Sequence, residues 1–403
     1  MLEKVSYKMI SKINNREVIQ FIQDHLKSDP IQLVFESNKY PDLPIREIAN
    51  QIASRQKAKD KLPEWYSNPE IIFPLKENLE QASSEITARF KSRWLKGKSI
   101  LDLTGGIGVD LFYMSNSFKD ANYVEPNAEL IDITEYNFRL LRKKVKTFNT
   151  TAEEFLHSNS SSYDVIYLDP SRRSKTKKRV YGLEDYEPNV VDLYDALIGI
   201  GNEVVVKTSP MIDIKQTLRL LPDTYRVQVV AVDNEVKEVL FYINSKVNVE
   251  VSIEAWNISN SIDVQEFKFT LDEESKAIPE ISIPRKYLYE PNSAIRKAGA
   301  FSLIATQYGL SKLHSNTHLY TSDEVKSNFP GRIFEIIKII KPNKKEIKKE
   351  FPGGKVNVIS KNFPMGTNEI KKKFRLIDGG DEFLIFCEVP NQKTSLRCSL
   401  IRT

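Results

Sequence analysis

The first ninety residues carry their apolar positions at helical spacing. Around 15–27, 45–58 and 77–96, hydrophobic residues recur every three or four positions with few β-branched runs, which predicts helices there. Pro30, Pro41, Pro44, Pro63, Pro69 and Pro74 divide these segments. From Ser99 the pattern switches. SILDLTGG predicts a buried strand and a turn, residues 106–117 a helix, and NYVEP at 122–126 a second strand. The run NAELIDITEYNFRLLRKK sets Leu130, Ile133, Phe138 and Leu141 along one helical face. VKTFNTT, a short helix AEEFLHS, the strand DVIYLDP, a helical DLYDALIGI and the strand NEVVVKTSP follow. A helix over 213–221 leads to YRVQVVAVD and EVLFYIN, which read as a closing strand pair. Strands alternating with helices predict a mainly parallel, doubly wound α/β sheet.

Beyond about residue 245 the alternation ends. EVSIEAWNI and DVQEFKFTL read as a hairpin, and the polar, proline-marked DEESKAIPEISIP as a linker. Residues 291–310 predict one capped helix with Gly309 near its end. The last seventy-odd residues mix the strands GRIFEIIKII, KVNVISKN and EFLIFCEVP with the helices NKKEIKKEF and TNEIKKKFRL, a small α+β module. The expected organisation is a helical region over 1–90, a Rossmann-like domain over 91–245, a hairpin and linker segment over 246–325, and the α+β module over 326–403. No repeat of solenoid period is visible.

A chain of 403 residues exceeds what one core usually organises, so several domains are expected. No apolar run approaches the roughly 20 residues that span a bilayer. The opening MLEKVSYKMISKINNREVIQF lacks the apolar core of a signal peptide. Only Cys387 and Cys398 are present, too few for a disulfide framework, and a cytoplasmic protein is expected. Net charge is +5, but its distribution says more than its size. Arg172, Arg173, Lys175, Lys177, Lys178 and Arg179 form a run with no acid among them. Lys338–Arg375 carries twelve basic residues against Glu346, Glu350 and Glu369. The rest of the chain is therefore net acidic. Two local basic surfaces on such a chain suggest a polyanion partner, although either run alone also reads as a solvated face.

The chemistry concentrates at three strand ends. LDLTGGIGVD puts Asp102 in a strand and Gly105, Gly106 and Gly108 at the turn into a helix, where backbone can approach a ligand. Glu125 ends the next strand, a position from which a carboxylate can hold a ribose diol. A dinucleotide fingerprint needs a third glycine where Leu111 stands, and the helix start offers no pyrophosphate cradle. A ligand with ribose and no phosphate fits better. Asp169-Pro170 then ends the fourth strand and Lys207-Thr208-Ser209-Pro210 the fifth, so both face the cleft of the glycine turn.

With these residues the chain resembles a class I S-adenosylmethionine-dependent methyltransferase over roughly 71–245, with a Rossmann-like seven-stranded sheet. It resembles more narrowly a bacterial group of methyltransferase-like chains that add a ferredoxin-like segment, expected within 246–325, and a C-terminal THUMP-like domain over 326–403. The matching stretches are LEQASSEITARFK, VVVKTSP, YEPNSAIRKAGAF and ISKNFPMGTNEIKKKFRLIDGGDEFLIF. THUMP domains elsewhere are associated with RNA. The resemblance implies S-adenosylmethionine as cofactor, lined by Asp102, Thr104, Gly105, Gly106 and Gly108, with Glu125 on the ribose hydroxyls and Asn127 beside it. The adenine would lie near Thr151 and Ala152, where many relatives of the broad class carry an Asp. LEQASSEITARFK is expected either to close over the cofactor or to be an ordinary amphipathic helix.

In amino-methyltransferases the fourth strand ends in an Asn or Asp, two prolines and an aromatic, which orient a target amine. The resemblance therefore makes Asp169, Pro170, Ser171 and Arg172 the catalytic set. Ser171 replaces the second proline and Arg172 the aromatic, so a stacked base would need Arg172, Tyr181 or Tyr186. Arg173, Lys175, Lys177, Lys178, Arg179 and Lys207 would hold phosphates beside the site, and Lys344, Lys348 and Lys371 farther along the same nucleic acid. His314 and His318 lack the glutamate of a zinc-protease helix, and no metal is expected. The reading is an RNA methyltransferase acting on an exocyclic nitrogen. The alternatives are a methyltransferase for a protein or small molecule, and an RNA-binding module that has lost catalysis.

Overall fold

The computed structural model describes residues 10–172, 182–259 and 264–401. Two compact units result. One runs up to Tyr225 and takes in Leu240–Val249; the other comprises Arg226–Val239 and the chain from Glu250 onward. None of the helices among the described residues is long and apolar enough to cross a membrane.

The strands of the main sheet are β1 (Ser99–Asp102), β2 (Asp120–Val124), β3 (Lys146–Phe148), β4 (Tyr163–Leu168), β7 (Gly201–Thr208), β8 (Thr224–Val232), β9 (Glu235–Ile243), β10 (Ser252–Ile258) and β11 (Val264–Thr270). Among the described residues, the two-residue strands β5 (Ser171–Arg172) and β6 (Tyr186–Glu187) pair only with each other. The main sheet has the order β11-β10-β8-β9-β7-β4-β1-β2-β3. That is nine strands rather than seven. The two extra strands are the hairpin β10–β11, because β10 lies parallel to β8 and extends the sheet. The tight β8–β9 turn rests on Asp233 and Asn234, both at positive φ, the geometry of a two-residue hairpin loop.

In the first unit β1, β2, β3, β4 and β7 are parallel. Their central residues are buried on both faces, as with Ile100 and Leu101, or Ile166, Tyr167 and Leu168. Strand order reverses between β1 and β4, which opens a crevice beyond their carboxyl ends. The helical region has its own apolar cluster around helices α1 (Arg16–Asp24) and α2 (Ile45–Lys61), including Val18, Ile22, Ile48 and Ile52. The buried segment 71–73 is held by side-chain amides standing in for strands. Gln51 exchanges hydrogen bonds of 2.7 and 3.0 Å with the Phe73 backbone, and Asn137 exchanges 2.7 and 3.0 Å with Ile72. Each pair satisfies a donor and an acceptor that burial would otherwise orphan. The helix expected over 77–96 is interrupted; its second half is α3 (Glu85–Ser92), started by the Ser84 hydroxyl as N-cap. Helix α4 (Val109–Met114) follows the glycine turn. Helix α5 (Ala128–Leu140) buries Leu130, Ile133 and Phe138 as its spacing predicts.

The second unit adds β12 (Tyr287–Pro291), β13 (Ser311–His314), β14 (Thr317–Ser322), β15 (Gly331–Ile340), β16 (Asn357–Lys361), β17 (Glu382–Val389) and β18 (Gln392–Leu400). They form one sheet in the order β13-β14-β12-β15-β18-β17-β16. Two expectations change here. The first half of the linker candidate is helical (Leu271–Lys276), nucleated by a capping box between Thr270 and Glu273. The single helix expected over 291–310 is two, Ser293–Ala298 and Leu303–Gln307. Gly299 ends the first at φ +88°, and the Glu274 carboxylate accepts the N–H groups of Phe301, Ser302 and Leu303 at the start of the second.

Candidate active site

Asp102 closes β1 and is 1% exposed. Its Oδ1 accepts the Thr104 N–H at 3.0 Å, bending the chain into the glycine turn. Burial pushes its carboxyl up to about 8, further than that backbone donor pulls it down, and Asp110, Asp169 and Glu125 add repulsion. At Gly105 a Cβ would lie 2.1 Å from the Tyr123 ring, so any side chain would collide. Gly108 holds φ +78° at the start of α4 and backs onto Thr134 and Phe138 of α5.

Glu125 follows β2 and answers the turn. Its two oxygens accept the N–H groups of Gly106 and Asn127, each at 2.9 Å. Burial raises its carboxyl while these two donors lower it. Each oxygen keeps acceptor capacity, as a ribose diol would need. Among the described residues and beyond its two chain neighbours, a Cβ built at Gly106 meets only the Thr104 carbonyl within 4 Å, so the turn leaves open space on that side. The donors and acceptors here therefore fit a ribose-bearing cofactor that lacks a pyrophosphate. Asn127 spends its own side chain as the N-cap of α5, accepting from Glu129 at 2.9 Å and Leu130 at 3.4 Å. Thr151 caps helix α6 (Ala152–Ser158) through a capping box with Glu154. Ala152 is buried beneath it.

Asp169 emerges directly after β4. Its backbone N–H donates to the Thr104 hydroxyl at 2.6 Å, which fastens the Asp-Pro corner to the glycine turn. Its carboxylate pairs with Lys207, which comes from the end of β7 and is largely buried. Lys207 Nζ also lies 4.0 Å from Asp110 Oδ2 on α4. Asp110 in turn pairs with Lys91 at 3.0 Å and accepts the hydroxyls of Tyr167 at 2.7 Å and Ser83 at 2.8 Å. Burial opposes Asp110 ionisation most strongly, yet Lys91 and Lys207 overcome it and hold the carboxyl at about 2. The result is a ladder of alternating charge, Lys91–Asp110–Lys207–Asp169, buried except at its Asp169 end.

Pro170 is buried, and Ser171 is exposed in β5. The chain returns through β6, where Tyr186 is buried with its hydroxyl 3.2 Å from Ser209 Oγ. Of the basic run, Arg172 contributes only its place in β5, and Arg173, Lys175, Lys177, Lys178 and Arg179 lie outside the described residues, as does Tyr181. In the second unit Lys344 and Lys348 are exposed on the helix Lys344–Glu350, while Lys371 pairs with Asp378.

The first unit thus brings together Asp102, Thr104, Gly105, Gly106, Glu125, Asp169 and Lys207. Lys91, Ser83, Asp110 and Tyr167 belong to the same constellation and carry no role in the sequence reading. One signal was available: LEQASSEITARFK puts the polar Ser83 and Lys91 among apolar positions, and both are buried.

A glycine turn after the first strand, an acid after the second and an Asp-Pro after the fourth, ranged along the reversal of a doubly wound sheet, define the class I methyltransferase arrangement. Comparison with known proteins narrows this. A ferredoxin-like domain matches residues 287–330 and a THUMP domain-like domain matches 331–400. A crystal structure of a "putative methyltransferase" from Porphyromonas gingivalis W83 is 32% identical, covers 95% of this chain and 97% of its own, and superimposes with a TM-score of 0.84. An uncharacterized S-adenosylmethionine-dependent methyltransferase of Mycobacterium tuberculosis (strain H37Rv) is 21% identical over 331 residues, 80% of this chain and 87% of that one. The chain belongs to the family of the Porphyromonas protein, a methyltransferase fold joined to ferredoxin-like and THUMP-like domains.

Proposed function

We propose that this S-adenosylmethionine-dependent methyltransferase acts on RNA, at an exocyclic nitrogen of a base. The observation that carries the site assignment is the Thr104–Asp169 hydrogen bond, which ties the cofactor turn to the Asp-Pro corner. When bound, S-adenosylmethionine supplies a methyl group on a sulfonium, whose departure leaves a neutral thioether. Asp102, Thr104, Gly105, Gly106 and Glu125 would hold it, with Asn127, Thr151 and Ala152 at its edge. The Asp169 carboxylate and the Pro170 carbonyl are both acceptors for the N–H groups of an incoming amine. Accepting them aims the nitrogen lone pair and stabilises positive charge on the nitrogen as its bond to carbon forms. Asp169 then takes up the proton that the methylated nitrogen sheds. Lys207 keeps the carboxylate from rotating away.

RNA is supported by the lysine surplus of 338–375, by the exposed Lys344 and Lys348, and by the THUMP-like match. A second reading, a nucleic-acid-binding module without turnover, draws on the Lys207–Asp169 pair, which already occupies one carboxylate oxygen. Tritiated S-adenosylmethionine with total RNA from a strain lacking the gene separates the two. Label that vanishes with ribonuclease supports transfer to RNA, and the affinity of the protein for that RNA should fall steeply with salt. Cofactor binding without label in any RNA pool overturns the proposal.

A further inference from the structure

Glu290 lies in β12 and is 3% exposed. Arg332, from the start of β15, donates to its Oε2 through Nε at 2.9 Å and through a terminal nitrogen. Lys361, at the end of β16, stands 2.7 Å from Oε1. Arg296, on the helix Ser293–Ala298, stands 3.8 Å from the same oxygen. Three strands separate β12 from β16 in the sheet order, so curvature rather than pairing brings Lys361 onto Glu290.

Neutralising one buried carboxylate takes one cation. Three converge on this one, although like charges so placed repel one another. The three side chains are partly open to solvent: those of Arg332, Arg296 and Lys361 are 38, 31 and 22% exposed. Beside them, on β14, His318 stacks on Phe301 with ring centroids 3.6 Å apart. Burial holds its imidazole down at about 4, helped by Lys312, Lys361 and Arg296. Two nitrogens at this place, Arg296 Nε and His318 Nδ1, are buried without a hydrogen-bond partner among the described residues. Buried polar atoms are ordinarily satisfied, and each exception asks for a partner. A cation surplus next to two unsatisfied nitrogens asks for an anion with several acceptor oxygens.

We propose that Arg296, Arg332, Lys361 and His318, organised by Glu290, form a phosphate-binding site whose ligand is a phosphodiester of the RNA substrate. The source of the phosphate rests on the RNA reading above; the anion site itself does not. Glu290 acts as a template: it draws together three cationic side chains that would otherwise spread, and leaves their surplus charge for the ligand. With one edge of its guanidinium on Glu290, Arg332 keeps further terminal N–H groups that can donate to phosphate oxygens.

The test uses the full chain with ¹³Cε1-labelled histidine. Inorganic phosphate in one arm and a fluorescein-labelled single-stranded oligoribonucleotide in the other are titrated while the His318 resonance and the anisotropy are read. The expected result is a His318 shift in both arms, with a raised imidazole pKa. Arg296→Gln should weaken the oligonucleotide about five- to tenfold and lower the salt slope by about one, leaving S-adenosylmethionine affinity unchanged. Lys361→Gln, with its fold checked by circular dichroism, should behave alike. A His318 resonance indifferent to both ligands overturns the site. A shift with phosphate, together with oligonucleotide binding that ignores both variants, overturns the RNA assignment. A shift with phosphate from a protein that binds no oligonucleotide sustains the anion site and sinks the RNA reading instead.

Discussion

The hydroxyl of Thr104 accepts the backbone N–H of Asp169 at 2.6 Å. Thr104 belongs to the turn after the first strand, and Asp169 to the corner after the fourth. One short hydrogen bond thus sets the spacing between the surface that would hold the cofactor and the carboxylate that would hold the acceptor.

Thr104→Val should uncouple them. Valine keeps the shape and removes the acceptor, leaving the Asp169 N–H unpaired at a cost of about 1–3 kcal/mol. Methyl transfer should fall roughly ten- to a hundredfold with cofactor affinity nearly intact, while Thr104→Ser stays near wild type. Steady-state transfer beside calorimetric binding reads both quantities.

Gly105→Ala puts a methyl group where the Tyr123 ring stands, 2.1 Å away. The turn must shift or the ring must leave its hydrogen bond to the Gly106 carbonyl. Overpacking of this kind costs about 1–3 kcal/mol. Cofactor affinity should drop by at least tenfold in equilibrium dialysis, and the melting temperature should fall with it.

Lys91 is 1% exposed and faces Asp110. Lys91→Met leaves a buried carboxylate short of one partner, which costs about 3–5 kcal/mol. Chemical denaturation should register that loss. Adding Asp110→Leu should restore part of it, because two apolar groups need no partners.

Asp102 gives a pH dependence with a definite sign. Its folded pKa, pushed up to about 8, lies above its ordinary 3.8. Between these values the folded chain holds a proton that the unfolded chain has released, so stability falls as pH rises through the window. The slope is at most about 1.4 kcal/mol per pH unit. Asp102→Asn should flatten it in urea denaturation of the cofactor-free protein. A cationic cofactor favours the ionised carboxylate, so binding at pH 7 should expel up to about one proton from wild type and none from Asp102→Asn. Titration calorimetry in buffers of different ionisation enthalpy counts that proton.

The sequence showed what is local. Asp102, the glycines, Glu125 and Asp169-Pro170 each stand at a strand end, where hydrophobic pattern and turn residues coincide. The charge ladder was not legible, because Lys91, Asp110, Lys207 and Asp169 come from four elements and only the fold makes them neighbours. Lys207 shows the consequence: expected as a phosphate contact, it pairs with Asp169 across the strand ends, a partner its place in the sequence does not reveal. Thr151 and Asn127 are similar, since N-capping claims side chains that the motif assigns to the cofactor. The split of 291–310 had one visible cue, Gly299, and one hidden one, the cap that Glu274 supplies from another element. The sheet count missed two strands because a hairpin carries no mark of the strand it will lie beside.

Asp169 is the residue that joins the cofactor turn to the acceptor site. The most direct measurement is single-turnover methyl transfer from tritiated S-adenosylmethionine to RNA by wild type and Asp169→Ala, with cofactor affinity measured on the same preparations. Asp169→Ala should bind the cofactor within a few-fold of wild type and transfer methyl at least about a hundredfold more slowly. Equal transfer by the two proteins would contradict this and move the reacting centre away from the Asp-Pro corner.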